Sequence, residues 1–592
     1  MAKEYDRRNL DFLLKEVFHV DSLCKYPRFA DYTPDMFDML LDSADLIAEK
    51  YLRPIYVDSD RKAAELVDGV VHVHPGVEPY VKEMGESGMI GVTFDFEHGG
   101  QQLPSLVGGA HEFIRGAAHN SVVMFTGLSH GAAHLIASFG SKELADKFVP
   151  NMLSGKWTGT MCLTEPQAGS SLNDVTTSAK DLGDGTYSIK GQKIFISGGD
   201  NHFSENIIHL VLARLEGAPA GTKGISLLVV PKKRMENGLL VQNEVVSLGV
   251  YHKMGQKATP ALHLSFGDKA ASIGYLVGEP NKGLKYMFQM MNEARIGVGM
   301  GGAYIASAAY HFSKQYANER SQGRLLTNKD PNTPPTLIKN HPDVQRMLYF
   351  QKAIVEGSMG LLFQCLLWDD LTKCAEGEEK DEAQLLLDLM TTVAKTYPAE
   401  MGTLAVNQGL QVLGGYGYTE DFPLEQMARD VRIMSIYEGT TGIHGLTLLG
   451  RGIPANNGQA LQTLGKWIAK DIESGKSSDL VAKYAGLLED EVANLTKVTM
   501  HKLGIAMKGE FDVFLADSSL YMELFGIVTV AWQWLKQGNV AAAAIKAGGL
   551  SAEELAFYQD KIHTMKFFFH YEVPKTLGLS KRLLDEEVLT IF

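Results

Sequence analysis

The chain has 592 residues, a formal net charge of −14, 45% hydrophobic residues and 21% charged residues. This length requires several hydrophobic cores, and the negative charge argues against a nucleic-acid-binding protein. The acidic N-terminal segment argues against a secretory signal, and no apolar run approaches the roughly 18 residues of a membrane span. Four cysteines without metal-type spacing indicate reduced thiols and a cytoplasmic setting.

The first part of the chain, residues 1–156, is predicted to be helical. After Thr33, a residue type that favours helix N-termini, apolar residues recur at helical spacing. A second segment of this kind begins at Ser141 and ends at a glycine near residue 155. We therefore expect an N-terminal helical domain.

Residues 157–280 are predicted to form a compact antiparallel β domain. Short runs rich in β-branched and aromatic residues alternate with turns such as DLGDG (181–185) and EGAPAGTKG (216–224). An antiparallel domain excludes a doubly wound dinucleotide fold. The glycine-rich GVGMGG (297–302) lies inside a helical pattern and follows no strand, so it indicates close helix packing.

Helical periodicity returns in the last two predicted domains. Residues 281–455 are expected to form a helical bundle, which is interrupted by a proline-rich excursion beginning at Ser321. Residues 456–592 are expected to form an additional helical C-terminal domain with nearly balanced charge. The predicted fold class is mostly α with a central antiparallel β domain.

One short motif, MCLTEPQAGSS (161–171), offers groups for a polar ligand. A predicted strand ends at Thr164, and the proline and glycine that follow impose a turn. Backbone N–H groups and hydroxyls, including those of Gly169 and Ser170, are suited to line a polar rim. An ordinary loop explains this motif equally well when it is taken alone.

A second motif, GQKIFISGGDN (191–201), offers a surface for a flat ligand. Alternation along a strand places Phe195 and Ser197 on the same face. A ring system against Phe195 would have the Ser197 hydroxyl as a hydrogen-bond partner. A strand that ends in a glycine turn is the simpler interpretation of this motif alone.

The third stretch, residues 407–442, ends with an isolated carboxylate. Paired glycines after a predicted helix permit close approach of a ligand to the backbone. Glu438 follows between Tyr437 and Gly439, among apolar and small residues. It is either a helix-start carboxylate or a catalytic base in a site that excludes water.

The order TEP-AGS, K-F-S-GG, Q-LGG-G and RD-YEGT strongly resembles the acyl-CoA dehydrogenase family. The resemblance covers roughly residues 35–455, and the C-terminal addition resembles the large-subunit branch that includes methylmercaptopropionyl-CoA and long-chain acyl-CoA dehydrogenases. It implies a helical domain, a β domain and a helical bundle, with FAD bound between the last two. It also implies a homodimer, an acyl-CoA substrate and electron-transfer flavoprotein as the electron acceptor.

The resemblance further implies roles for individual residues. Glu438 matches the base that removes the α proton while the β hydride passes to flavin N5. The positions matching FAD contacts are Leu163, Thr164, Phe195, Ser197, Arg320, Gln322, Gln411, Val412, Gly414, Gly415 and Thr440. The positions matching substrate contacts are Gly169, Ser170, Arg295, Tyr437 and Gly439. Phe195 stands where the family usually has tryptophan, and Gly442 stands where it usually has glutamine.

Several alternatives remain open at this stage. The family's second base position is occupied here by Ala294, and Glu293 is rotated from it by about 100° on a helix. An oxidase that uses O2 and a non-catalytic flavin-bearing nucleic-acid binder are the competing functions. His98 and His444 are expected to be structural, and no metal site is expected because HVH (72–74) has no third ligand nearby in the sequence.

Overall fold

The computed structural model describes residues 3–328 and 330–591, without the side chains of 288–291. The first two residues of the predicted N-terminal domain, Lys329 of the proline-rich excursion and the last residue of the C-terminal domain lie outside the described residues. The contacts divide the chain into two compact units, described separately below. Unit 1 comprises Met1–Phe37, Ser105–Phe113 and Arg295–Phe592; unit 2 comprises Asp38–Pro104 and Ile114–Ala294.

The helices account for most of the regular structure. In chain order the α-helices are α1 (Arg7–Asp11), α2 (Pro34–Ile47), α3 (Tyr56–Arg61), α4 (Val77–Glu86), α5 (Ser105–Ala118), α6 (Val123–Phe139), α7 (Lys142–Leu153), α8 (Gly283–Glu319), α9 (Pro342–Cys374), α10 (Gly377–Leu413), α11 (Leu424–Val431), α12 (Thr441–Thr447), α13 (Gln459–Lys476), α14 (Ala482–Met507), α15 (Phe511–Ala516), α16 (Ser518–Ala547), α17 (Ala552–Tyr571) and α18 (Lys575–Leu583). Short 3₁₀ and π turns join several of them.

The strands belong to unit 2. They are β1 (Glu65–Val67), β2 (Val70–His72), β3 (Trp157–Cys162), β4 (Ser178–Asp181), β5 (Tyr187–Ser197), β6 (Asn206–Leu215), β7 (Ile225–Pro231), β8 (Lys233–Glu236), β9 (Leu239–Gln242), β10 (Val245–Val250), β11 (Ala261–Phe266) and β12 (Ser272–Leu276). The main sheet has the order β10-β11-β5-β12-β7-β6-β3, and β4 pairs with both β5 and β6.

The main sheet is mostly antiparallel, as predicted, but it contains two parallel pairs. Strand β6 runs parallel to β3 and to β4. The strand pattern could not indicate these pairings because periodicity reports which residues face the core and not the direction of the neighbouring strand.

Helix α6 packs against β3 within the core of unit 2. Gly159 permits the close approach, because a Cβ at this position would lie 2.7 Å from the Cβ of Ala132. Ser141 caps α7 as predicted: its side chain accepts a hydrogen bond from the Leu144 N–H. Residues along α6, α7 and β3 contribute to one buried cluster with the inner strands β6 and β7.

A short hairpin interrupts the helices of the predicted N-terminal helical domain, residues 1–156. Strands β1 and β2 pair antiparallel across Asp68 and Gly69, whose φ angles are 49° and 78°. An Asp-Gly pair between short β-branched runs favours a two-residue hairpin turn. The sequence predictions did not include this hairpin.

Unit 1 is a helical bundle in which α8, α9 and α10 pack closely. A Cβ at Gly299 would lie 1.9 Å from the Ala394 carbonyl oxygen, and one at Gly302 would lie 2.4 Å from that of Pro398. The GVGMGG run therefore serves helix packing, as predicted. Side chains could not be accommodated at these contacts without separating the helices.

The C-terminal helices pack onto the bundle inside unit 1. Trp534 on α16 is fully buried and its indole N–H donates to the Ala353 carbonyl at 2.9 Å. Lys561 on α17 donates to the Glu356 carboxylate on α9 at 2.8 Å, and Lys352 donates to the same carboxyl group at 2.6 Å. These contacts make α16 and α17 part of the same compact unit as α9.

Candidate active site

Glu438 lies in a short loop immediately before α12. Thr440, and not Glu438, caps this helix, with its side chain accepting from the Ile443 N–H at 3.5 Å. Glu438 has a φ of 53° and Gly439 a φ of 90°, so both adopt left-handed backbone. This conformation is costly for a glutamate, and such strain is often found at functional sites.

Two side chains of the bundle hold the loop by its carbonyl groups. Lys395 on α10 donates from Nζ to the Gly439 carbonyl at 2.8 Å. The Nε2 of His444 lies 3.0 Å from the Glu438 carbonyl oxygen. Because a carbonyl only accepts, His444 carries its proton on Nε2, and burial lowers its pKa to about 3, so the ring is neutral.

The electrostatic setting of Glu438 combines burial with two cations. Burial raises the pKa of the Glu438 carboxyl above its usual value, and the charges of Lys395 and Arg295 oppose this. Among the residues that the structure describes, none donates a hydrogen bond to this carboxylate. Burial also lowers the pKa of Lys395 to about 8.

The other predicted substrate residues of unit 1 lie around the same loop. Arg295 is 9% exposed and acts on Glu438 through its charge. Burial raises the pKa of Tyr437, whose hydroxyl donates to the Met434 sulfur at 3.2 Å. The loop therefore brings a carboxylate, a guanidinium and a phenol into one neighbourhood.

The remaining predicted cofactor positions of unit 1 lie at helix ends. Arg320 and Gln322 are exposed after the end of α8. Val412 is buried near the end of α10, whereas Gln411 is exposed. The exposed Gly414 follows with φ 62° and ψ −135°, a conformation favourable only for glycine. No heavy atom lies within 4 Å of a Cβ added at Gly414 or Gly415, so this backbone is open to a ligand.

In unit 2, the aromatic motif departs from strand alternation. Phe195 has a φ of 58°, where the β5–β11 register shifts, and the residue is 58% exposed. Tyr251 packs against it with 4.5 Å between ring centroids. Ser197 is half-buried two residues further on. The β-bulge orients the Phe195 side chain differently from a regular strand and leaves its flat aromatic ring exposed.

The turn after β3 contains the other predicted contacts of unit 2. Leu163 and Thr164 are half-buried, while Gly169 and Ser170 are exposed. The Thr164 carbonyl accepts from the Ile194 N–H at 2.9 Å, which joins this turn to the aromatic motif.

A buried ion pair, which the sequence analysis missed, anchors these two motifs. Lys193 donates to the Glu165 carboxylate at 2.8 Å and to the Leu163 carbonyl at 3.0 Å. The N–H groups of Thr176 and Thr177 donate to the same carboxylate at 2.7 and 3.0 Å. Glu165 lies in the motif 161–171 and Lys193 in the motif 191–201. Their opposite charges were the sequence signal for this contact. Lys395 offered no comparable signal, because it lies far from Glu438 in the sequence.

The weaker candidates have structural partners. The Nε2 of His74 lies 2.8 Å from the Asp58 carboxylate, so this histidine of HVH already has a partner. The Nε2 of His98 lies 3.7 Å from Glu97. His444, expected to be structural, contacts the Glu438 loop directly.

Comparison with known proteins decides the family. Acyl-CoA dehydrogenase models match the N-terminal domain at residues 35–156, the middle domain at 160–268 and the C-terminal domain at 338–453, and an acetyl-CoA dehydrogenase C-terminal-like model matches 461–590. The chain is 34% identical to 3-methylmercaptopropionyl-CoA dehydrogenase of Ruegeria pomeroyi, covering 96% of this chain and 97% of that protein. The chain belongs to the acyl-CoA dehydrogenase family.

Membership in the acyl-CoA dehydrogenase family makes the protein an oxidoreductase and confirms the predicted family and fold class. It is also 33% identical to the broad-specificity linear acyl-CoA dehydrogenase of Mycobacterium tuberculosis, covering 99% of this chain and 98% of that one. The acyl-CoA dehydrogenase from Bacillus anthracis, solved in complex with FAD, has the same fold, with a TM-score of 0.75, 20% identity and coverage of 93% and 89% of the two chains. Within the described residues, no helix combines the length and apolar character needed to cross a membrane.

Proposed function

We propose that the protein oxidises an acyl-CoA thioester to its trans-2-enoyl-CoA, with Glu438 removing the α proton. The observation that carries this proposal is the setting of the Glu438 carboxyl: the residue is half-buried, no described residue donates a hydrogen bond to its carboxylate, and desolvation raises its pKa. A general base works best when its pKa approaches the working pH. The same group held by several donors would be too weak a base.

The backbone of the loop supports the same reaction. The α C–H of a thioester is a weak acid, and its removal requires donors at the carbonyl oxygen, where negative charge develops. Among the described residues, none accepts a hydrogen bond from the Glu438 N–H. We assign this N–H to the thioester oxygen, which would place the α carbon beside the Glu438 carboxyl group.

Lys395 and His444 act on the loop and not on the substrate. By binding the carbonyls of Gly439 and Glu438, they fix the direction of the left-handed backbone. A neutral His444 holds the loop without adding a positive charge that would weaken the base. Arg295 contributes a buried positive charge near Glu438.

FAD is the cofactor that this family implies, and the residues present fit it. Bound FAD supplies the acceptor for the β hydride. In unit 2, the exposed ring of Phe195 and the Ser197 hydroxyl offer a flat wall and a hydrogen-bond partner beside Leu163 and Thr164. In unit 1, the open backbone of Gly414 and Gly415 is suited to close approach by a phosphate or adenosine group.

The remaining FAD and substrate assignments are part of the same proposal. Arg320, Gln322, Gln411, Val412 and Thr440 are assigned to FAD, and Gly169, Ser170, Arg295, Tyr437 and Gly439 to the acyl-CoA. The exposure of Arg320, Gln322 and Gln411 supports contact with a ligand or a neighbouring subunit.

The decisive experiment is anaerobic bleaching of the FAD-loaded enzyme by acyl-CoA. We expect Glu438→Gln to retain FAD and bind acyl-CoA but to bleach at least about 10³-fold more slowly, because the amide accepts no proton. Glu523→Gln is a matched control, since burial also raises the pKa of that carboxyl on α16. Bleaching of Glu438→Gln at the wild-type rate would show that the base is another residue.

Two further assays define the substrate and the electron acceptor. A bleaching screen of straight-chain, branched and thioether acyl-CoAs identifies the acyl group. We propose electron-transfer flavoprotein as the acceptor, and we expect turnover with it under anaerobic conditions. Stoichiometric H2O2 formation in air, without turnover by the flavoprotein, would instead identify an oxidase.

We also propose a cytoplasmic homodimer. Tyr418 is 94% exposed and Tyr416 is 47% exposed in the segment assigned to FAD, and large exposed apolar groups favour an interface. Light scattering of the FAD-loaded protein should give twice the 64.9 kDa chain mass or a multiple of that value. A monomer that retains FAD would contradict this assembly.

A further inference from the structure

A cluster of two histidines and one glutamate lies in unit 2, and none of its members is assigned to catalysis. His130 and His134 occupy successive turns of α6, and Glu293 lies on α8. One ligand atom from each of the three residues lies within 4.8 Å of the others. The Nδ1 of His134 lies 2.9 Å from the Glu293 carboxylate.

The surroundings of His130 prepare it to donate a lone pair. Its Nδ1 lies 2.8 Å from the Ile90 carbonyl oxygen. Since a carbonyl only accepts, the proton is on Nδ1 and the lone pair is on Nε2. Metal-binding histidines commonly have their second nitrogen fixed by a carbonyl in this manner.

The pairing of His134 with Glu293 also suits two ligands of one ion. Ligand atoms at about 2.1 Å from zinc and at the tetrahedral angle are about 3.4 Å apart, so the observed 2.9 Å must open by about 0.5 Å. The widest pair in the cluster, within 4.8 Å, must close by up to about 1.4 Å through rotation of a side chain.

The site is accessible, and an aromatic wall holds its two rings. The side chains of His134 and Glu293 are 35% and 30% exposed, which leaves room for water as a further ligand. The ring of Phe94 lies 5.1 Å from that of His130 and 5.6 Å from that of His134. Phe94 thus restricts both imidazoles without competing for a metal.

We propose that His130, His134 and Glu293 bind a divalent transition-metal ion, with Zn²⁺ as the best match. Two imidazoles and one carboxylate suit zinc, cobalt or iron and are unsuited to calcium. On binding, the proton on His134 Nδ1 moves to Nε2, and Glu293 becomes a ligand instead of a hydrogen-bond acceptor. The ion joins α6 to a part of α8 that is distant in the sequence, and so stabilises unit 2.

The test is metal titration of the untagged, FAD-loaded protein after treatment with a chelator. We expect calorimetry to give one Zn²⁺ per chain, and Co²⁺ to produce a visible d–d absorption band. Loss of a group that only hydrogen-bonds to a metal ligand weakens metal binding about 10–100-fold. Because His130→Ala and His134→Ala each remove a ligand itself, each should weaken Zn²⁺ binding by more than about 100-fold. His252→Ala, which removes an exposed histidine of unit 2, is the matched control and should bind normally.

A second measurement separates lost binding from lost folding. Zn²⁺ should raise the melting temperature of the wild type and of His252→Ala. It should not raise that of His134→Ala, whose unchanged flavin spectrum would show that this variant is folded. If the wild type binds no Zn²⁺ at 100 µM, or if His130→Ala and His134→Ala bind it as well as the wild type, the cluster is only a hydrogen-bonded pair with a neighbouring histidine. Neither result would affect the assignment of Glu438.

Discussion

Two glutamates, the buried Glu165 of unit 2 and the half-buried Glu438 of unit 1, each lie near a lysine, yet their pKa values shift in opposite directions. Burial would raise the pKa of Glu165, but the charge and hydrogen bond of Lys193 together with bonds from Thr177 and Thr176 lower it to about 2. Burial raises the pKa of Glu438 in spite of Lys395 and Arg295.

The difference lies in where the lysine donates its hydrogen bond. Lys193 donates directly to its carboxylate, whereas Lys395 donates to the Gly439 carbonyl. At Glu165 the charge of Lys193, its direct hydrogen bond and the bonds from Thr177 and Thr176 all favour the ionised form, whereas at Glu438 only the charges of Lys395 and Arg295 do. Glu165 is therefore suited to fix structure, and Glu438 to exchange a proton.

The largest expected effect on stability concerns Lys193. We expect Lys193→Met to destabilise the protein by about 3–5 kcal/mol, because it leaves the carboxylate of Glu165 buried and unpaired. Urea unfolding measures this change. Lys395→Met should cost much less, since it separates no direct ion pair. Equal losses of unfolding free energy in the two variants would contradict the view that only Lys193 neutralises a carboxylate by direct contact.

Acid should weaken the protein through Glu165. Its folded pKa lies below its unfolded value of 4.5, so the stabilisation is complete above pH 4.5 and is lost as the pH falls towards 2. The full difference is about 3 kcal/mol. Urea unfolding of the wild type and Glu165→Gln at several pH values from 6 to 3 should converge as the pH falls. Parallel curves would contradict a depressed pKa.

Backbone strain near Glu438 predicts a smaller effect. Gly439→Ala should destabilise the protein by about 2 kcal/mol, because φ is 90° and the new Cβ would lie 2.7 Å from His444 Nε2. Gly465→Ala, inside α13 with no atom within 4 Å, should instead stabilise it by about 0.5–1 kcal/mol. Thermal unfolding distinguishes the two, and a stabilising Gly439→Ala would mean that the loop is not under strain.

The smallest effect is a shift of the pH profile. Activity requires ionised Glu438, so kcat/KM falls as the pH drops through its pKa. Lys395→Met removes a charge that lowers this pKa, so the acid limb should move to higher pH. Lys395→Arg keeps the charge and should leave the limb near its wild-type position. If the acid limb of Lys395→Met stays at its wild-type position, the charge of Lys395 does not lower the pKa of Glu438.

Local patterns predicted local structure well and long-range partners poorly. The cap at Ser141, the packing glycines and the C-terminal helices follow from periodicity, and the motif order indicated the family. Periodicity gave no sign of the bulge at Phe195, which depends on pairing with another strand. The third member of the His130–His134 cluster, Glu293, lies on a distant helix, and only folding brings it near.

The left-handed backbone at Glu438 also has an evolutionary consequence. A residue with a Cβ pays about 1–2 kcal/mol for this conformation, and glycine does not. Selection for chemistry and selection for folding therefore oppose each other at this position. In a homologue that no longer needs the catalytic base, we expect glycine to replace glutamate at position 438. Glycine at this position therefore identifies a homologue that does not remove the α proton.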